Sequence, residues 1–286
     1  MPADGGSTLI APLVQKLCEL GGQLEMDWAV THIERAGDGW RVHGQAQKSG
    51  ALQARQLILA ADAANAEKII NASALLTPHT SAHLPLYWPR AMPTAIVRLW
   101  FDRLPLTYAQ AGILSGEFVL DNYFWLDCLQ ESYIQWRKAT GGSAIEAHIY
   151  GPPELLEESD ALLLTRAIAD VHSAFPELRG HLIHPFLRRN PATHTLFGLG
   201  PAERHLGTET PWPDLFCCGD WVRHPSPSFF LERACVTGIE AANAVLRSRQ
   251  LPPWPLLPGP PPERLAHVLE RLMRTGRRVL RRRRVR

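Results

Sequence analysis

The chain has 286 residues, room for about two domains at roughly 150 residues each. With 45% hydrophobic and 20% charged residues it can bury a sizeable core, which excludes wholesale disorder, and hydropathy shows no apolar run of about 18 residues that would span a membrane. The net charge of +2 conceals a split: residues 263–286 hold ten Arg against two Glu, a net of +8, so the other 262 residues sum to −6.

In chain order, Gly5-Gly6-Ser7 leads into Leu9, Leu13, Leu17 and Leu20, a helical stripe with Ser7 or Thr8 as its N-cap. Gly21-Gly22 stops it. Residues 23–33 alternate as a strand through Leu24, Met26, Trp28 and Val30, Gly37-Asp38-Gly39 is a turn, and 40–43 returns. Residues 56–61 form a short apolar run of buried-strand type, and a helix starts at Asp62 and runs to about Ile70. The stretch 72–90, with Pro78, Pro85 and Pro89, reads as a loop and a domain boundary. Strands are expected over 94–102, 117–126, 144–150 and 182–188, with an amphipathic helix over 155–175 that Pro176 ends. That mixture predicts an inserted α+β domain.

The final folded block is Leu215-Phe216-Cys217-Cys218, a short buried strand, broken by Gly219-Asp220. A loop with Pro225 and Pro227 follows, then a helix over 229–246. Its apolar stripe includes Phe230, Leu231, Cys235, Ile239 and Leu246, and small residues at Ala234, Gly238, Ala241 and Ala242 let it lie close to a sheet. Seven Pro in residues 251–262 predict a semi-rigid linker, and 263–286 reads as a basic tail helix.

The strongest signal is the strand with Gly219-Asp220-Trp221, followed by Leu231-Glu232-Arg233-Ala234 and Thr237-Gly238-Ile239-Glu240-Ala241-Ala242-Asn243. This block resembles the C-terminal flavin motif of the FAD-dependent amine oxidase and phytoene (carotenoid) desaturase superfamily, with the carotenoid desaturase and hydroxysqualene dehydroxylase branch as the nearest likeness. Gly5-Gly6 with its helix and Gly21-Gly22, and Leu57-Ile58-Leu59-Ala60-Ala61, resemble two further family segments. The likeness covers about 1–70 and 190–247. It implies an α/β fold: an incomplete FAD-binding domain of the glutathione-reductase-like Rossmann type at 1–75 and 190–250, with a substrate domain at 76–189.

The resemblance implies FAD as cofactor and Gly219 and Asp220 as cofactor contacts, with the backbone amides at Phe229 and Phe230 beside them and the Val30 backbone facing the adenine. The physics supports such a cradle without the name. A helix N-terminus offers unpaired N–H groups and a positive dipole end to a reduced flavin, and a glycine removes the Cβ from a close approach. The implied activity is hydride transfer from an allylic C–H of a carotenoid or other isoprenoid to the flavin, and no catalytic side chain is singled out. One departure stands out. The family opens on a strand, Gly-x-Gly-x-x-Gly and helix, and no such sequence occurs here. The alternatives are therefore a truncated reading frame, a non-catalytic fragment or subunit that completes a partner's flavin site, or a flavin amine oxidase acting on a soluble amine.

Other features are weaker. Tyr87, Trp88, Trp100, Tyr123, Trp125, Tyr133 and Trp136 could pack a core or line an apolar tunnel, and Glu146 and His148 alternate on one strand. The histidines show no metal-ligand spacing, and no metal is expected. Five cysteines without a CxxC pair and a start lacking basic and apolar segments predict reduced thiols, no secretory signal and a cytoplasmic location. The tail spaces Leu265, Val268, Leu269, Leu272 and Met273 among arginines. That is a surface-seeking pattern for peripheral membrane contact, or a solvated basic extension; nucleic acid is the poorer fit, since its binders spread basic residues over the folded body.

Overall fold

A computed structural model describes residues 6–45, 50–73, 87–107, 109–197, 204–257 and 263–283. The fold is α/β with three sheets. Helix α1 (Gly6–Glu19) ends at Gly21, whose φ of +83° turns the chain out of the helix. Ser7 and Thr8 lie inside α1 rather than at its cap, and the residues before Gly6 lie outside the described ones. Strand β1 (Ala29–Ala36) begins only after Asp27, whose left-handed φ of +54° interrupts the alternation. Leu24 and Met26 therefore lie outside any strand and are exposed.

A two-residue turn at Gly37-Asp38 joins β1 to β2 (Gly39–Gln45), and β3 (Gly50–Ala54) completes an antiparallel sheet in the order β1-β2-β3. The sequence does not announce β3, because its short run is exposed and carries no buried face. Strand β4 (Leu57–Leu59) leads to α2 (Ala63–Ala72), capped by the Asp62 carboxylate accepting from the Asn65 amide.

The third sheet has the order β6-β7-β8-β5-β9 and is antiparallel throughout. Its strands are β5 (Ala91–Phe101), β6 (Ala111–Ile113), β7 (Asn122–Trp125), β8 (Ser143–Ile149) and β9 (Leu182–Thr195). The strand expected over 117–126 is only β7. Strand β9 runs seven residues past the expected end. It lies at the sheet edge, where Pro185 and Pro191 cost no ladder bond to a second neighbour. Tyr133 and Trp136 sit on a helix, α3 (Glu131–Thr140), not on strands. Leu155 and Leu156 form a 3-10 turn, and Ser159 caps the long helix α4 (Asp160–Ala174).

Two cores result. Val97, Leu99, Phe101, Trp125 and Ile145 pack under Leu163, Ala167 and Val171 of α4. Ile33, Trp40, Leu59 and Ile70 pack with Leu215 and Trp221. The domain boundary read near residue 75 lies outside the described residues. Strand β10 (Leu215–Cys217) pairs parallel with β4 and is followed by α5 (Phe230–Ser248) and α6 (Arg264–Arg283). Helix α5 turns Thr237, Ala241 and Ala244 inward against β10; of the small residues expected to face the sheet, Ala241 is buried, Ala234 and Gly238 are half-buried and Ala242 is exposed. Its larger apolar residues, Leu231 and Ile239, point to solvent, and so does Cys235. The apolar stripe is therefore not the packed face, and Gly238 has open space where a Cβ would stand.

Candidate functional site

The two parallel strands are stitched together at their carboxyl ends. The Cys218 amide donates to Leu59 O at 3.1 Å, and the indole Nε1 of Trp221 donates to Ala61 O at 2.9 Å. In α/β sheets that end is where ligands bind. Gly219 makes the turn with φ +144°. A Cβ there would stand 2.8 Å from Trp221 Nε1, so the close approach that requires glycine is made by the tryptophan. The Gly219 amide is also occupied, donating to Thr237 Oγ1 at 3.0 Å. The Thr237 hydroxyl lies in turn 2.8 Å from the Arg233 carbonyl. Thr237 thus locks the turn to α5. This positioning residue is missed by motif reading, although a buried threonine that back-bonds within its helix is a recognisable pattern.

Asp220 borders open space. It lines a cavity of about 500 Å³ with Thr94, Tyr150, Asn190, His194 and Phe230. The Thr195 hydroxyl, at the end of β9, holds Asp220 Oδ1 at 2.9 Å. One wall is a ring column. His194 stacks on Tyr150 and on Phe230, each at 5.2 Å. Phe197 meets Phe229 and Phe230 edge-on, and the Arg233 guanidinium lies over Phe197 and Phe229 at 5.4 Å. Phe229 is the N-cap residue of α5 and offers no side-chain cap, and Phe230 begins the helix at a left-handed φ of +48°.

Val30 is not part of this cavity. It lines a second space of similar size with Ile33, Ile58, Leu59, Ala61 and Lys68. Beside that space, Ile58 sits on the edge of β4 turned away from β10, and no described strand pairs there. Of the sequence-read residues, Asp220 and Phe230 line one cavity, Val30 lines the other, and Gly219 and Phe229 line neither.

A polar string crosses the β5–β8 face. Arg98 donates to Glu146 at 2.5 Å, His148 lies 3.1 Å from Glu146, and Tyr150 Oη lies 2.9 Å from His148 Nδ1. The vicinal thiols at the end of β10 are not nucleophiles: burial and its neighbour Cys218 push Cys217 up to about 12, and burial raises Cys218 as well.

For FAD, the fit is partial. The cavity at Asp220 has the volume of a small-molecule site, an acceptor suited to sugar hydroxyls and a helix N-terminus at its rim. Neither cavity has a glycine-rich phosphate loop among the described residues.

A parallel strand pair ending in a tied Gly-Asp turn, with a helix start and a ligand-sized cavity beside it, defines a class: an α/β protein with a cavity at the carboxyl end of its parallel strands. Residues 1–246 match the family model of flavin containing amine oxidoreductases. The chain belongs to this family of FAD-dependent oxidoreductases. It is 31% identical over 173 residues to the carotenoid phi-ring synthase of Chlorobaculum tepidum, covering 59% of this chain and 26% of that protein. It is 32% identical over 158 residues to the carotenoid phi-ring synthase of Streptomyces griseus, covering 54% and 30%. Among solved structures, cyclohexylamine oxidase from Brevibacterium oxydans superposes with a TM-score of 0.60 at 14% identity, covering 86% of this chain and 53% of that one. The chain thus spans less than a third of the curated relatives it matches and about half of that structure.

Proposed function

We propose that this chain supplies one side of the flavin site of an FAD-dependent oxidoreductase that acts on a carotenoid or another isoprenoid. The observation that carries the reading is the Asp220 carboxylate, held by Thr195 at the rim of a cavity between the Gly219 turn and the five-stranded sheet. When bound, the flavin supplies a hydride acceptor. Asp220 would accept from its sugar-arm hydroxyls, the first amides of α5 would offer a positive end to the ring, and Phe230 and Tyr150 would give the site an aromatic wall. Gly219 and Thr237 hold the turn in position. An apolar substrate fits that wall, and both relatives near 30% identity carry a carotenoid in their names. The amine oxidase reading rests on the family match over residues 1–246 and on solved structures at low identity.

The second cavity favours a further reading of the same site. The open edge of β4 and the apolar space around Val30 and Ile58 suit a polypeptide that adds a strand and brings the glycine-rich phosphate loop. The family's Rossmann-type domain would then be completed around 1–75 and 190–250, with 76–189 as the substrate domain. No described helix is long and apolar enough to cross a membrane; the enzyme is read as cytoplasmic, with peripheral membrane contact through α6.

FAD titration followed by flavin fluorescence tests the reading, on the chain alone and co-expressed with a polypeptide bearing strand, Gly-x-Gly-x-x-Gly and helix. The chain alone is expected to bind weakly or not at all, and the pair stoichiometrically, with Asp220→Ala weakening the pair about tenfold, the loss of a charge-assisted hydrogen bond. A pair indifferent to Asp220→Ala overturns the proposed contact.

A further inference from the structure

Among its described residues the linker after α5 is held to that helix by the Leu251 amide on Leu246 O at 2.9 Å and, further on, by Asn243. The buried Asn243 carboxamide donates to Trp254 O at 2.9 Å and accepts from the Trp254 amide at 2.7 Å. That clamp uses up both polar ends of Asn243 and presents the Trp254 indole to solvent at 71% exposure, with Leu257 close behind at 93%. Eight residues, 255–262, five of them Pro, separate the clamp from Glu263 and α6. At about 3.1 Å per residue a proline-rich spacer of that length reaches roughly 25 Å.

Helix α6 has two unlike faces. At about 100° per residue, Leu265, Val268, Leu269, Leu272 and Met273 fall in one arc, and Val279 and Leu280 continue it in the sequence, a stripe roughly 140° wide. The five described side chains are between 49 and 65% exposed. By the same count Arg271, Arg274, Arg277, Arg278, Arg281 and Arg282 fall in the opposite arc together with Glu270, while Arg283, the last residue of the helix, falls on the apolar side. The stripe is wider than the two-position seam of a coiled coil, and the helix carries no Lys. Guanidinium forks pair with phosphate oxygens in a way an ammonium does not.

We propose that α6 lies in the plane of an anionic phospholipid surface, its apolar stripe in the acyl boundary and its arginines on lipid phosphates, with Trp254 and Leu257 as the adjoining interfacial contacts. Charge complementarity selects this occupant: a net of +8 in residues 263–286, on a body of −6, orients the tail toward an anionic surface and the body away from it. An apolar stripe would be idle on nucleic acid, which takes the arginines alone. The proposal deepens the peripheral contact suggested above and rests on that reading, yet its test involves no flavin, so its failure leaves the oxidoreductase reading standing.

The test is co-sedimentation of the full chain with vesicles of phosphatidylglycerol and phosphatidylcholine in equal parts, against vesicles of phosphatidylcholine alone. Binding is expected to the first and not to the second, and to be released in about 1 M salt, where the Debye length is about 3 Å. Leu269→Ser with Leu272→Ser, and separately Arg274→Gln with Arg278→Gln and Arg281→Gln, are each expected to weaken it at least tenfold. Both variants should keep the parent's thermal midpoint, a control that separates lost binding from lost fold. Binding that ignores the leucine pair, equal binding to both vesicles, or retention on duplex DNA but on neither vesicle overturns the proposal.

Discussion

The Thr195 hydroxyl donates to Asp220 Oδ1 at 2.9 Å, tying the last residue of β9 to the turn after β10. Thr195 is buried and pairs with Ala91 in the five-stranded sheet, so this one bond joins the sheet of the first core to the strands of the second. Thr195→Val keeps the shape and removes the donor. Asp220 can turn to water through the cavity, so the expected cost is about 1 kcal/mol, the net value of one hydrogen bond. A double-mutant cycle with Asp220→Ala in urea should return a coupling of similar size. Strict additivity would mean that the bond does not form.

Gly219→Ala should be far more damaging. The new methyl meets the Trp221 ring at 2.8 Å, and φ +144° is a backbone conformation that alanine rarely adopts. The expected loss is about 3 kcal/mol or more. Combining it with Trp221→Ala removes the clash but not the backbone strain. The double variant should therefore stay less stable than Trp221→Ala alone by the backbone strain, about 1–3 kcal/mol, as read by urea denaturation. Full recovery would show that the glycine serves space alone.

Much of this site is legible in the sequence because its signals are local. The apolar run before Gly219, the Gly-Asp break and the periodic helix after it each have a short-range cause, and β10, the turn and α5 lie where those causes put them. What periodicity cannot tell is which face of α5 is inside. Counting apolar residues selects Leu231, Cys235 and Ile239, whereas the packed face is Thr237, Ala241 and Ala244, because close approach to β10 favours small side chains over large ones. Alternation through Leu24 and Met26 misleads for a related reason: Asp27 leaves the extended region, and nothing in its neighbours' hydropathy marks that. Helix α3 is silent because it buries no residue and so carries no stripe.

The polar string on β8 should leave a mark on acid stability. Burial pushes the Glu146 carboxyl up, but the hydrogen bonds from His148 and Arg98 outweigh it and hold it below its ordinary 4.5. A carboxyl depressed in the folded state stabilises the fold above its unfolded pKa, and that contribution disappears as pH falls through the folded value. The stability gap between the parent and Glu146→Gln should therefore stay constant from neutral pH down to about 4.5 and shrink below it. Urea midpoints measured across that range check it, and a gap that widens toward acid would contradict the assigned pairing.

Phe230 supplies the sharpest test of the backbone at the cavity. It opens α5 at φ +48°, a region where a bulky side chain costs on the order of 1–2 kcal/mol, and contacts with His194 and Phe197 hold it there. Phe230→Ala and Phe230→Gly lose the same ring contacts but differ in what they do to the strain. Alanine keeps it, and glycine does not. The glycine variant should be the more stable of the two by about 1 kcal/mol, the reverse of the usual helix order, in which alanine leads by a similar amount. Urea denaturation of the pair decides the sign. If alanine led, residue 230 would sit in ordinary helical backbone and α5 would start one residue earlier. Its first free amides would then shift by about 100° around the axis, away from the rim at Asp220 on which the flavin reading depends.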